Sequence, residues 1–204
     1  MDVRDALLKA ATKVFAEAGM RGATTRRIAQ EAGVNEVTLF RHFRTKDELI
    51  EAALQHFASQ ATLRELPADP VDPEAELIDW CRAHHRDLHR MRALIRKTMS
   101  EYEEYPSRCA SGMQVSVRIA DELSEYVRRL RAKGLASAGF DERAATSMLM
   151  GALFTDALCR ETIPARYPYS KRKAVDEYVQ LFLRAVGVPT APRKGAGSGP
   201  VTKA

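Results

Sequence analysis

Basic side chains concentrate in the stretch RGATTRRIAQEAGVNEVTLFRHFRTK, residues 21–46, where six Arg and Lys stand against two Glu. Such a local excess of positive charge suits contact with the phosphates of a nucleic acid. An arginine such as Arg41 can also pair with both acceptors on a guanine edge, and a glutamate such as Glu36 can accept from a cytosine. The chemistry that this stretch could carry is recognition of a duplex.

Two short helices joined by a tight turn would present these side chains. The first would begin at Thr24 or Thr25 as a cap and end at Gly33, and the second would run from Glu36 to about residue 43 with Asn35 as its N-cap. This is a helix-turn-helix, which places its second helix in the major groove. The outward positions of that helix are Glu36, Val37, Thr38 and Arg41.

A second group of reactive side chains lies in the run CRAHHRDLHRMR. Cys81, His85 and His89 follow each other at intervals of four residues, so a helix would bring them to one face, with His84 beside them. A metal-sensing site is one hypothesis for this group. The many charges in the run favour a polar helix face instead, and we expect no metal.

Catalysis is the alternative from another functional class, and it would need the same histidines together with Glu76, Asp79 or Asp87. The sequence contains no nucleophile elbow, no phosphate-binding glycine loop and no HExxH motif. We therefore expect a protein that is not an enzyme and that uses no cofactor.

The composition of the chain and the positions of its prolines predict two helical units. No apolar run approaches the roughly 18 residues that span a bilayer, and the first residues lack a secretory signal, so we expect a soluble cytoplasmic protein. Pro67, Pro70 and Pro73 interrupt the helical pattern. The predicted domains are 1–65, 74–187 and a disordered tail at 188–204.

Helical spacing of apolar residues continues through both units, and no alternating strand pattern competes with it. The fold class is therefore all-α, with a three-helix helix-turn-helix module, a linking fourth helix and a body of five or six helices. The predicted helices are 3–18, 24–32, 36–43, 46–63, 74–90, 92–103, 107–133, 141–160 and 171–186. Gly19 would end the first helix as a left-handed C-terminal cap, and Thr45 would cap the fourth.

The first 60 residues resemble the tetracycline-repressor-like (TetR) family of bacterial regulators. The matching residues are Ala10, Ala11, Val14, Phe15, Gly19, Thr24, Thr25, Ile28, Ala29, Ala32, Gly33, Val34, Thr38, Leu39, His42, Phe43, Lys46 and Leu49. Three residues depart from the family pattern: Asn35 replaces Ser, Val37 replaces Gly and Phe40 replaces Tyr. Asn35 can still cap, whereas Phe40 lacks the hydroxyl that would donate to a phosphate.

The resemblance implies a homodimer that binds a double-stranded, pseudo-palindromic operator and releases it when a small molecule binds. It implies phosphate contacts from Thr25, Thr38, His42 and Lys46. The full set of expected DNA-binding residues is Thr25, Arg26, Glu36, Val37, Thr38, Phe40, Arg41, His42 and Lys46. Repression is the usual mode in the family, and an architectural DNA-binding protein without a ligand is the remaining non-enzyme alternative.

Two further surfaces are predicted in the body. An apolar or amphipathic effector would contact adaptable and aromatic side chains, namely Trp80, Met91, Met99, Tyr102, Met113 and Phe154. The last two helices carry more apolar surface than one buried stripe needs, which predicts a four-helix dimer interface. Its expected residues are Met148, Gly151, Ala152, Thr155, Val175, Tyr178, Val179 and Phe182.

Overall fold

A computed structural model of the chain describes residues 2–59, 64–106, 110–137 and 139–190, with the side chains of residues 110–113 excepted. Within these ranges the chain forms eight α-helices and no strand, so the predicted all-α fold is confirmed. The helices are α1 Val3–Gly22, α2 Thr25–Glu31, α3 Glu36–His42, α4 Lys46–Ser59, α5 Pro73–Ser100, α6 Ala110–Ala132, α7 Glu142–Cys159 and α8 Lys171–Ala185. A short 3-10 turn, Pro164–Arg166, precedes α8.

Helices α2, α3 and α4 begin at the residues that the sequence predicts as caps. Thr24 accepts from the backbone N–H of Arg27 at 3.2 Å, and Asn35 accepts from the N–H of Thr38 at 2.8 Å. At α4, Thr45 accepts from the N–H of Glu48 at 3.1 Å. Each bond satisfies a donor that the first turn of a helix leaves without an intrahelical partner.

Helix α5 runs without interruption from Pro73 to Ser100, so the prediction of two helices at 74–90 and 92–103 is wrong. The residues around Met91 include no proline or glycine that could end a helix. Asp72 caps the helix by accepting from Ala75 N–H at 3.1 Å. Four α-helices, α5–α8, therefore make up the described part of the body, instead of five or six.

Two apolar clusters form the core, and α5 contributes to both. The first unites α1–α4 and includes Leu94 from the C-terminal part of α5. The second unites α5–α8 around fully buried side chains such as Leu77, Tyr126 and Phe182. Val188 also packs in this cluster, at the start of the predicted tail, and residues 191–204 of that tail lie outside the described residues.

A buried carboxylate joins three helices of the body. Asp156 of α7 is fully buried, and it accepts from Tyr178 Oη of α8 at 2.8 Å and bonds His85 Nε2 of α5 at 2.9 Å. Arg160 binds both oxygens of the same carboxylate, at 2.9 and 2.6 Å. Two of these partners, His85 and Tyr178, lie on helices distant in sequence from Asp156.

Hydrogen bonding determines the charge state of this carboxylate. Burial alone would raise the pKa of Asp156, but the hydrogen bonds from His85, Arg160 and Tyr178 outweigh burial and hold the pKa well below its usual value. The folded state thus binds this proton less tightly than the unfolded state. The resulting stabilisation is present above the unfolded pKa of 3.8 and is lost as the pH falls below it.

No helix in the described ranges is both long and apolar enough to cross a membrane.

Replacing Asp156 with Asn should lower the free energy of unfolding by about 3 kcal/mol, because Arg160 would keep its buried charge without a counterion. The matched control is Asp176→Asn, which breaks a partly exposed pair with Arg82 at 2.7 Å and should cost about 1 kcal/mol or less. Urea denaturation at pH 7 measures both. Equal losses in the two variants would contradict the assigned role of Asp156.

Candidate nucleic-acid interface

The turn between α2 and α3 determines how α3 is held. Gly33 has a φ of +70°, a left-handed conformation that L side chains rarely adopt, and no atom lies within 4 Å of where its Cβ would be. Ile28 and Ala29 of α2 and Leu39 of α3 are buried in the first apolar cluster. This packing fixes one side of α3 and leaves its other side in solvent.

The solvent side of α3 carries two large apolar groups. Val37 is 63% exposed and Phe40 is 49% exposed. Arg41 and His42 are exposed beside them, and Arg41 has no ion pair within the described residues. Branched and aromatic side chains in water on a short helix suit contact with thymine methyls or sugars, and a free guanidinium suits a guanine edge or a phosphate.

Thr25 and Glu36, both expected at the DNA, bind each other across the turn. Thr25 Oγ1 donates to Glu36 Oε2 at 3.2 Å, which connects the first residues of α2 and α3. Thr38 Oγ1 donates to Asn35 Oδ1 at 2.9 Å, so the cap also orients this hydroxyl. The contacts preorganise side chains that the sequence alone presents as independent.

The basic residues of this region differ in their partners. Arg27 pairs with Glu17 at 2.6 Å and Arg21 pairs with Glu104 at 2.8 Å. Arg26, by contrast, is exposed without an ion pair in the described part of the chain. Part of the positive charge that the sequence shows is therefore paired with carboxylates of the same chain.

Lys46, at the start of α4, reaches back to α1. Its Nζ donates to the carbonyl oxygen of Met20 at 2.9 Å, and the side chain is half-buried. The N–H of the same Met20 donates to both carboxylate oxygens of Glu101, at 2.9 and 3.2 Å. Glu101 follows the last residue of α5, so the body contacts the residue that Lys46 binds.

Gly19 makes this approach possible. Its φ of +68° interrupts α1, as the sequence predicts from a glycine at a helix end, and turns Met20 toward the body. A Cβ at Gly19 would overlap Glu101 Oε1. Two features therefore require glycine at position 19: the left-handed backbone conformation and the close approach of the Glu101 carboxylate.

The body contains a cavity of about 200 Å³ between α5 and α6. Of the expected effector residues, only Trp80 lines it. Met99 and Tyr102 are instead 57% and 45% exposed, because they lie on and just after the last turn of α5, beyond the apolar core. Met91 and Phe154 are half-buried elsewhere, and the side chain of Met113 lies outside the described residues.

The sequence-based search missed the other residues of the cavity wall, among them Ala83, Arg118 and Ile119. His84, which also lines the cavity, was assigned only to the metal-site and catalytic hypotheses. The one available signal was its spacing of four residues from Trp80, which places both rings on one helix face.

Two histidines of the run CRAHHRDLHRMR bind other groups of the protein. His85 binds Asp156, and His89 contacts Lys171 and the carbonyl of Ala157. Cys81 is fully buried, and burial raises the pKa of its thiol. No three His, Cys, Asp or Glu side chains in the described ranges come together as a metal site.

The expected dimer residues divide between core and surface. Val175, Val179 and Phe182 are 1%, 0% and 1% exposed because they pack in the chain's own second cluster, so their assignment to a surface is wrong. Tyr178 is half-buried with its hydroxyl on Asp156. The remaining members, Met148, Gly151, Ala152 and Thr155, are exposed or half-exposed and all lie on α7.

Residues 7–53 match the bacterial regulatory proteins of the tetR family. The HTH-type transcriptional repressor Rv3405c of Mycobacterium tuberculosis is 42% identical over 74 residues, which are 35% of this chain and 39% of that repressor. The HTH-type transcriptional regulator YvkB of Bacillus subtilis is 26% identical over 190 residues, 88% of this chain and 95% of that protein. The chain thus spans well under two thirds of the mycobacterial repressor but nearly all of YvkB.

A solved TetR-family structure from Mesorhizobium loti has the same fold, with a TM-score of 0.73 at 24% identity over 91% of this chain and 97% of that chain. The match to the tetR family thus covers the helix-turn-helix module, and the likeness to a solved TetR-family structure extends over the whole fold.

Replacing Glu101 with Ala should make the amide hydrogen of Met20 exchange about tenfold faster, because the N–H loses a charged acceptor contributing about 1.5 kcal/mol. The control is Glu103→Ala, since Glu103 is exposed and has no partner within the described residues. Hydrogen exchange followed by NMR measures both. Unchanged protection of Met20 in the Glu101 variant would contradict the contact.

Proposed function

We propose that this protein is a TetR-family transcriptional regulator, a cytoplasmic homodimer that represses transcription by binding a pseudo-palindromic operator and that releases the operator when a small molecule binds its body. The observation that carries DNA recognition is the exposed face of α3, where Val37, Phe40 and Arg41 project from a helix whose other side is buried. A rigid helix with a free outer face is what major-groove reading requires.

Base reading and phosphate binding fall to different residues in this proposal. Val37 and Arg41 on the outer face of α3 would read base edges, together with Glu36. Thr25, Arg26, Thr38, His42 and Lys46 would bind phosphates, with Phe40 against a sugar. Lys46 would add a phosphate to its existing bond with Met20, because an ammonium group has three donors.

Dimerisation would supply the two copies of α3 that a two-fold operator needs. The proposed interface is the exposed face of α7 with its neighbour Leu181 on α8, which is 57% exposed. Ala144, Met148, Gly151 and Thr155 follow each other by four, three and four residues, so they share one helix face. Small residues at this face permit close approach of a second copy.

Release of the operator would depend on the contact between α5 and α1. A molecule that binds the body can shift the protein only between states for which it has different affinities. Glu101 connects the end of α5 to Met20, and Met20 is bound to Lys46 at the proposed DNA surface. A displacement of the end of α5 would therefore reach a phosphate-binding residue through the backbone of the single residue Met20.

Two substitutions should affect DNA binding differently. Lys46→Gln should weaken binding to all sequences and lower the slope of log affinity against log salt by about one, because one phosphate contact loses its charge. Arg41→Ala should cost about 1–3 kcal/mol at the preferred sequence and relax the preference at one base position. Selection from a random DNA pool followed by fluorescence anisotropy at several salt concentrations measures both effects.

Lys173→Ala is the control, because Lys173 is exposed on α8 away from α3 and should leave DNA affinity unchanged. A selected pool without a two-fold-related motif, or an Arg41 variant with unchanged preference at every position, would refute the proposed mode of recognition.

The dimer interface has its own test at Gly151. Within one chain no atom lies within 4 Å of where its Cβ would be, and arginine favours a helix by up to about 1 kcal/mol over glycine. Gly151→Arg should therefore preserve the fold while it places a charge in the interface, yielding monomers with weak operator binding. Sedimentation velocity at micromolar concentration measures the assembly.

Ala93→Arg introduces the same charge at an exposed position of α5 outside the interface and should remain dimeric. A dimeric Gly151→Arg variant, or a monomeric unmodified protein, would exclude this interface.

A further inference from the structure

The cavity between α5 and α6 has a mainly aromatic and apolar inner wall. Trp80 is 6% exposed, and its indole N–H donates to the carbonyl oxygen of Arg64 at 2.7 Å. The polar edge of the indole is thereby satisfied, and its ring remains available to a ligand. His84 stacks on Trp80 with ring centroids 5.7 Å apart and 25° between planes, while Ala83 and Ile119 complete the wall.

His84 brings polar atoms to this wall that the protein itself does not use. Neither ring nitrogen has a hydrogen-bond partner within the described ranges, in contrast to His85 and His89 on the same helix. Burial, assisted by the nearby His85, lowers the pKa of His84 to about 4. The ring is thus neutral at pH 7 and offers one donor and one acceptor.

Charged side chains surround the mouth of the cavity. Glu122 is already engaged, since it accepts from the N–H of Leu66 at 2.9 Å and lies 3.5 Å from Arg129. Arg64, Glu65 and Arg118 line the mouth without an ion pair in the described part of the chain. Because Glu122 is already neutralised, the guanidinium groups of Arg64 and Arg118 are opposed only by the carboxylate of Glu65. This excess of positive charge favours an anion at the mouth.

The volume limits the size of the occupant. An engineered apolar cavity of about 150 Å³ binds benzene, so the 200 Å³ found here suits one ring with a short side chain. Trp80 and His84 would stack on such a ring, because aromatic pairs favour offset or edge-to-face contact.

We propose that the cavity binds a single-ring aromatic carboxylate, with the ring against Trp80 and His84 and the carboxylate at Arg118. This assignment rests on the proposed function, in which such a molecule would be the effector, and it names the effector's chemical class. The carboxylate would gain the charged partner that Arg118 lacks, and His84 would donate to the same group or to a ring substituent.

The protein contains its own reporter for this site, because Trp80 is the chain's one tryptophan. We would titrate the full-length protein with benzoate, phenylacetate and 3-phenylpropionate and follow tryptophan fluorescence, with the corresponding amides as neutral analogues of the same shape. We expect saturable quenching by at least one acid and about fivefold weaker binding of its amide, which is what an exposed ion pair contributes at most. No saturable response to any acid, or equal affinity for acid and amide, would overturn the assignment.

Arg118→Gln should abolish the preference for the acid over the amide while leaving the amide's affinity unchanged. The matched control is Arg86→Gln, since Arg86 is exposed on α5 and does not line the cavity. A preference that persists in the Arg118 variant, or disappears equally in both variants, would place the carboxylate elsewhere and refute the proposal.

Measuring operator affinity on the same samples separates this assignment from the proposed function. An acid that quenches Trp80 without changing DNA affinity would support the binding site and contradict its regulatory role. Release of DNA by a compound that leaves Trp80 fluorescence unchanged would support ligand-responsive regulation and overturn the cavity as the effector site.

Discussion

Two charged side chains bind the backbone of one residue, Met20, where the helix-turn-helix module meets the body. Glu101 accepts from the N–H of Met20, and Lys46 donates to its carbonyl oxygen. Both bonds depend on the break at Gly19, which interrupts the regular helical backbone of α1 just before Met20. A hydrogen bond to a charged group is stronger than a neutral one, so this short chain of contacts relates the orientation of α5 to that of α1 and α4.

The network at Asp156 provides the corresponding constraint inside the body. It joins α5, α7 and α8 through one carboxylate whose hydrogen bonds come from three different places in the chain. Removing any one donor would leave buried polar groups unsatisfied, which costs more than the bond itself contributes. The three helices consequently have one preferred arrangement, and the exposed face of α7 has a defined orientation relative to α5.

Local sequence signals predicted the helix-turn-helix well because its geometry depends on neighbouring residues. Thr24, Asn35 and Thr45 act within three residues of the donors they satisfy, and Gly19 and Gly33 adopt the left-handed conformations expected of them. The same reasoning divided α5 near Met91, where periodicity weakens but no residue prevents a helix. It also assigned Val175, Val179 and Phe182 to the surface, because an apolar stripe does not reveal whether the same chain or a second copy covers it.

The cavity was the least predictable feature, since its wall combines α5 with residues of α6 and of the segment before α5. Its position nevertheless connects the two proposals physically. His84 and Glu101 are 17 residues apart on and just beyond one uninterrupted helix, a distance of roughly 25 Å at 1.5 Å per residue. A helix transmits a tilt at one end to the other without requiring rearrangement of the intervening side chains. A ligand that moves Trp80 and His84 would therefore act on Met20 directly, provided that it binds one orientation of α5 more tightly than another.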